Sequence, residues 1–161
     1  MIARLGTAAR YLCLASLVAN AGMADAQPWQ PRDFEPPPDL PVAAGLTDED
    51  AAAMRSLIAA QIAAMRAGDW SRAFALASPD LQAQYGTPAA LGKDVIAHYA
   101  PLPAVAHLAF IDIVTFRGLP TYRVDLGDTG GGVATAYYLV RRLDDGSLRI
   151  AGCVLVRARS S

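Results

Sequence analysis

The residues of this chain that could do chemistry are few, and the first is Cys153 in "RIAGCVLV", Arg149 to Val156. Its side chain could be a nucleophile, half of a disulfide, a metal ligand or part of the core. A nucleophilic cysteine needs a base or an electropositive neighbour to raise its thiolate fraction. Strand spacing instead gives Cys153 the company of Ala151 and Leu155, so it reads as a structural cysteine packed like a small hydrophobe. Gly152 beside it reads as a place where the strand bends or packs closely. Metal chemistry would have to use His98, His107 and Asp94, with Asp94 one helical turn before His98. Neither HExxH nor CxxC spacing is present, and ligands this scattered argue against a metal site.

Acid-base chemistry has more to work with. Asp112 interrupts the apolar run "AFIDIV", and Tyr122, Asp125, Tyr137 and Tyr138 sit on later strand-like segments. A carboxylate in a dry cavity gains a raised pKa, and a tyrosine can donate to a developing oxyanion. Period two puts Asp112 with Phe110 and Val114, and Tyr122 with Val124 and Leu126. Together with Tyr99, at the end of the preceding helix, these residues form the candidate ligand-binding set: Tyr99, Asp112, Tyr122 and Tyr137. No complete set of nucleophile, base and electrophile can be named, so the expectation is binding without catalysis and without a cofactor. An acid-base enzyme of isomerase or dehydratase type is the alternative, and a structural dimerisation module is a third. Asp112 paired with Arg123, or placed at a sheet edge, is the structural reading of the same residue.

The glycines 130 to 132 join two strand-like segments with no helix after them to face a phosphate, so they read as a turn. "DDG", Asp144 to Gly146, is likewise a hairpin signal.

These groups must be positioned by elements the sequence marks clearly. Thr47, with Asp50 three residues on, opens a helix in which Met54, Leu57, Ile58, Ile62 and Met65 recur at helical spacing, and Gly68 stops it. Asp69, Ser78 before Pro79, and Thr87 before Pro88 each mark the start of a shorter helix, the last running to Tyr99. Beyond residue 100 the period changes. Residues 105–116, 121–126, 133–142 and 148–156 are rich in β-branched and aromatic side chains and are joined by short turns. Short connections require antiparallel neighbours. Helices followed by strands predict an α+β fold.

The chain ends set the setting. Residues 1–26 have the parts of an export signal: Arg4 and Arg10, an apolar middle, and Ala24-Asp25-Ala26. Cys13 leaves with that segment, so Cys153 has no partner in the mature chain. The mature 135 residues carry 12 basic and 14 acidic side chains, which offers no footprint for nucleic acid. Residues 27–46 contain six prolines and read as an extended linker in which Trp29 and Phe34 could dock on the domain. Residues 47–157 read as one domain, and 158–161 as a tail. The expected setting is periplasmic or secreted, without stable membrane insertion, and the expected partners are a small molecule or a second copy.

"AFALASPDLQAQYGTP" (73–88), "VIAHYAPLP" (95–103) and "RRLDDGSLRIAGCVLV" (141–156) resemble landmarks of a domain-of-unknown-function family of small, often exported proteobacterial proteins. The resemblance spans roughly residues 48 to 157. Leu148 departs from it, standing where the family favours tryptophan. The broader fold is similar to nuclear transport factor 2, which implies a cone in which a curved antiparallel sheet wraps around the helices. Proteins of that shape include enzymes, binders and dimerisation modules, so the resemblance implies architecture rather than activity.

Overall fold

The computed structural model describes residues 37, 39–99, 102–130 and 133–157. The segment expected to be an export signal (1–26), most of the expected proline-rich linker with Trp29 and Phe34, Gly131, Gly132 and the expected tail lie outside the described residues.

Four helices precede four strands. They are α1 (Asp48–Arg66), α2 (Trp70–Ala75), α3 (Pro79–Tyr85), α4 (Pro88–His98), β1 (His107–Phe116), β2 (Leu119–Gly127), β3 (Val133–Arg142) and β4 (Leu148–Arg157). Every helix starts where a side chain can satisfy its free N–H groups. Thr47 accepts from the Asp50 N–H, and Asp50 reaches back to the Thr47 N–H. Asp69, Ser78 and Thr87 accept from the N–H groups of Arg72, Leu81 and Ala90.

All three strand pairs are antiparallel, and the sheet order is β1-β2-β3-β4. This corrects the cone implied by the family resemblance. The sheet is open and neither closes nor curls, because hairpin connections lay the strands down in chain order and leave β1 and β4 as separate edges. Each edge carries another segment over part of its length. Val42 bridges Val114 beside β1, with Ala43 N–H donating to the Ile113 carbonyl at 3.0 Å and Thr115 N–H to the Pro41 carbonyl at 2.7 Å. Ala77 bridges Ile150 beside β4, with Ser78 N–H donating to the Ile150 carbonyl at 2.7 Å. Covered edges are poor templates for pairing with another chain.

The main core lies between the helices and one sheet face, where Met54, Ile58, Leu102, Val124, Tyr138 and Ile150 are all buried. A smaller cluster of Phe116, Tyr137, Leu139 and Val154 occupies the other face, and Leu40 packs against it. Helix α4 approaches α2 closely at Gly92, where a Cβ would fall 2.7 Å from the Trp70 ring. Only glycine allows that approach.

Two strands depart from strict alternation. In β1 the register shifts between Phe110 and Asp112, so Ile111 is an extra residue. In β4 Leu139 faces Gly152 but Val140 faces Ile150, so Ala151 is extra. Each is a one-residue bulge, which reverses the face of every residue beyond it relative to a regular strand. Phe110 therefore joins the helix-side core with Ile113, while Asp112 points the other way. The expected grouping of Asp112 with Phe110 is corrected by this bulge.

Candidate functional site

The β4 bulge leaves a notch. Ile150 and Cys153 both pack into the helix-side core, although three residues apart in a regular strand they would take opposite faces. Between them Ala151 packs into the outer cluster, and Gly152 has no side chain. Two residues of strand thus send nothing toward the helices. The expected grouping of Cys153 with Ala151 is corrected for the same reason. At this notch Gln61 and Met65 of α1, Tyr85 of α3, and Val95, Tyr99 and Leu102 from α4 and beyond line a cavity of about 60 Å³. No tight packing explains Gly152, since a Cβ there would meet nothing within 4 Å; its strand bends, but does not pack closely at that point.

Tyr85, Tyr99 and Gln61 are tied down by hydrogen bonds at the cavity wall. The Tyr85 hydroxyl donates to Asp94 Oδ2 at 2.7 Å, and the other Asp94 oxygen lies 2.8 Å from His98 Nδ1. The Tyr99 hydroxyl donates to the Cys153 carbonyl at 3.3 Å. Gln61 Nε2 donates to the Ala73 carbonyl at 3.3 Å, pinning α1 to the end of α2. Burial raises the pKa of Tyr85, reinforced by its bond to Asp94, and burial also raises that of Tyr99. Cys153 is partly covered as a residue because it lines the cavity, but its thiol lies deep, and burial pushes it up to about 12. The buried Tyr138 hydroxyl lies near that sulfur and opposes the shift. It makes no hydrogen bond of acceptable geometry among the described residues, so we regard the contact as electrostatic. Tyr85, Tyr99 and Cys153 are thereby held protonated and neutral.

The four residues expected to share a pocket are divided. Tyr99 lines the cavity. Tyr122 is on the same side of the sheet but is 5 % exposed and packed edge-on against Phe110, ring centroids 5.1 Å apart, within the core. Asp112 and Tyr137 are on the opposite face, where both flank Arg123 on β2. Arg123 donates through Nε and an Nη to the two Asp112 oxygens, which raises the guanidinium pKa, and the Tyr137 hydroxyl lies beside the same guanidinium. The structural reading of Asp112 as the partner of Arg123 holds. His98 pairs with Asp94, while His107 begins β1, and no group of three potential metal ligands forms among the described residues.

Sequence reasoning missed Gln61 and Tyr85. Gln61 was detectable as a polar residue on the buried stripe of α1, three after Ile58 and four before Met65. Tyr85 meets Asp94 because Gly86, at φ 74, turns the chain so that α4 folds back beside α3.

Residues 47–161 match a family described as a domain of unknown function, DUF4864. The chain belongs to the DUF4864 family. The match covers all eight elements, and the cavity lies wholly inside this DUF4864 domain. No curated protein and no solved structure matches the chain.

The state of Cys153 can be checked by alkylation. The folded thiol at about 12 against an ordinary value of 9.0 leaves roughly a thousandfold less thiolate at pH 8, so labelling of the native protein is expected to be slower than that of the urea-unfolded chain by about that factor. The raised value also means that the protonated thiol stabilises the fold fully below pH 9 and that this contribution is lost as pH rises toward 12. Native and unfolded labelling rates within about tenfold of each other would contradict a buried, neutral thiol.

Proposed function

We propose that this DUF4864 protein is a non-catalytic small-molecule binding protein whose ligand occupies the cavity between α1, α3, α4 and the β4 bulge. The observation that carries the reading is the combination of an apolar, partly open cavity with polar groups at its wall that are already oriented by hydrogen bonds. Ligand sites are built this way, with apolar lining and a few placed polar groups. Binding is favoured over nucleophilic or general-base catalysis because Tyr85, Tyr99 and Cys153 are held in their protonated forms.

A thermal-shift screen of small molecules tests this, since a ligand present at 100 times its Kd stabilises the fold by about 2.7 kcal/mol. Val95→Leu adds one methylene to the cavity wall and is expected to remain folded while weakening any hit at least tenfold, about 1.4 kcal/mol. Hits that stabilise Val95→Leu as well as the parent chain would place binding elsewhere, and turnover of a hit would favour the enzyme reading.

We also propose that the protein is exported. No described helix is long and apolar enough to cross a membrane, and residues 1–26 carry the charge, apolar run and small residues of a cleavable signal. N-terminal sequencing of protein recovered from the periplasm of a Gram-negative host should begin at Gln27. Recovery only as membrane-bound chains retaining Met1 would contradict this.

A further inference from the structure

We infer that the cavity takes the end of a short, unbranched alkyl chain belonging to an uncharged molecule, with the ligand's polar head at the open mouth near Gln84. This rests on the binding reading above and names the ligand class for the same site.

Size is the first constraint. An engineered cavity of about 150 Å³ lined by aliphatic side chains is enough for benzene, whereas a water's share of the liquid is about 30 Å³. At about 60 Å³ the cavity is less than half the size of the one that holds benzene, so it suits the narrow end of a chain better than an aromatic ring. Anything larger must leave through the open side. The deep wall is made by Met65, Leu91, Val95, Leu102 and Ile150, each no more than 5 % exposed, and none of these has a hydrogen-bond donor in its side chain. Methylene and methyl groups suit such a wall, and the flexible Met65 thioether can adjust to them.

Charge is the second constraint. Among the described residues, none of the lining side chains is an acid or a base carrying charge at neutral pH. The nearest carboxylate along the Tyr85 hydrogen bond is Asp94, and both of its oxygens are engaged, one by Tyr85 and one by His98. An anionic head would meet that carboxylate with no cation among the described lining residues, and an ammonium would have to share its oxygens with Tyr85 and His98. Gln84, exposed at the edge of the cavity, offers a neutral amide that both donates and accepts. An alcohol, amide or ester head matches it.

The experiment is a methyl-resolved NMR titration of the full chain with n-alkan-1-ols from ethanol to octanol, the matching alkanoates and alkylammonium ions, and benzene, reading the Met65 and Ile150 methyl signals. Alkanol affinity is expected to rise about fourfold per added carbon over the first few members and then to flatten as the chain reaches the mouth. Ions of equal length should bind at least tenfold more weakly, and benzene should leave these signals unmoved. Val95→Leu, with Cys153→Met as a second filling variant should the first not fold, is expected to abolish the alkanol shifts. Preferential binding of alkanoates, alkylammonium ions or benzene at these methyls overturns the inference while leaving the cavity a binding site, as does alkanol binding without chain-length dependence. Failure of every probe to shift them overturns the inference and the binding reading together.

Discussion

The extra residue at Ala151 is the constraint on which the site depends. A regular β4 would send alternate side chains into the helices and fill the interface evenly. With one residue inserted opposite β3, Ile150 and Cys153 both turn inward, and the two positions between them contribute no side chain to that side. The cavity is the space this leaves. Its depth is kept by neighbours that cannot easily collapse into it, because Ile150 is fixed through its backbone to Leu76 and Ser78, with bonds of 3.0 and 2.7 Å.

The helices hold the opposite wall through contacts made in part by side chains that line the cavity. Gln61 ties α1 to the end of α2, Trp70 of α2 fits against Gly92 of α4, and Tyr85 of α3 ties to Asp94 of α4. The chain from α4 then returns over β4, where Tyr99 caps the helix with its backbone and bonds the Cys153 carbonyl with its hydroxyl. Polar side chains in this region therefore serve twice. They satisfy buried backbone or carboxylate groups, and they border an apolar space in an orientation fixed before any ligand arrives.

Local chemistry was legible in the sequence to the extent that it is local. Thr47, Asp69, Ser78 and Thr87 are the caps of the four helices, and the β-branched and aromatic runs are the four strands, because capping and turn formation depend on residues within a few positions. Sheet face was legible only up to the first bulge. Period-two counting through Ile111 grouped Asp112 with Phe110, and counting through Ala151 grouped Cys153 with Ala151, and the bulges separate both pairs while leaving Cys153 with Leu155. A bulge is set by pairing with the neighbouring strand and carries no dependable mark in its own few residues. The site was harder still, since Tyr85, Asp94, Tyr99 and Cys153 come from three elements whose meeting is a tertiary event. The cone failed because it came from likeness of elements, which does not determine whether edge strands curl toward each other or take up Pro41–Ala43 and Leu76–Ser78 instead.

The central claim is that the bulge creates a stable, apolar, accessible space beside β4, and a crystal structure of the protein under xenon pressure tests it most directly. Dry apolar cavities take up xenon, whereas polar ones hold ordered water and filled cores take up nothing. The expected result is a single strong xenon peak bounded by Met65, Val95, Leu102 and Ile150, with Ala151 directed to the other face of the sheet. Ordered water at that position, or side chains closed over an unbulged β4 with no xenon bound, would contradict it.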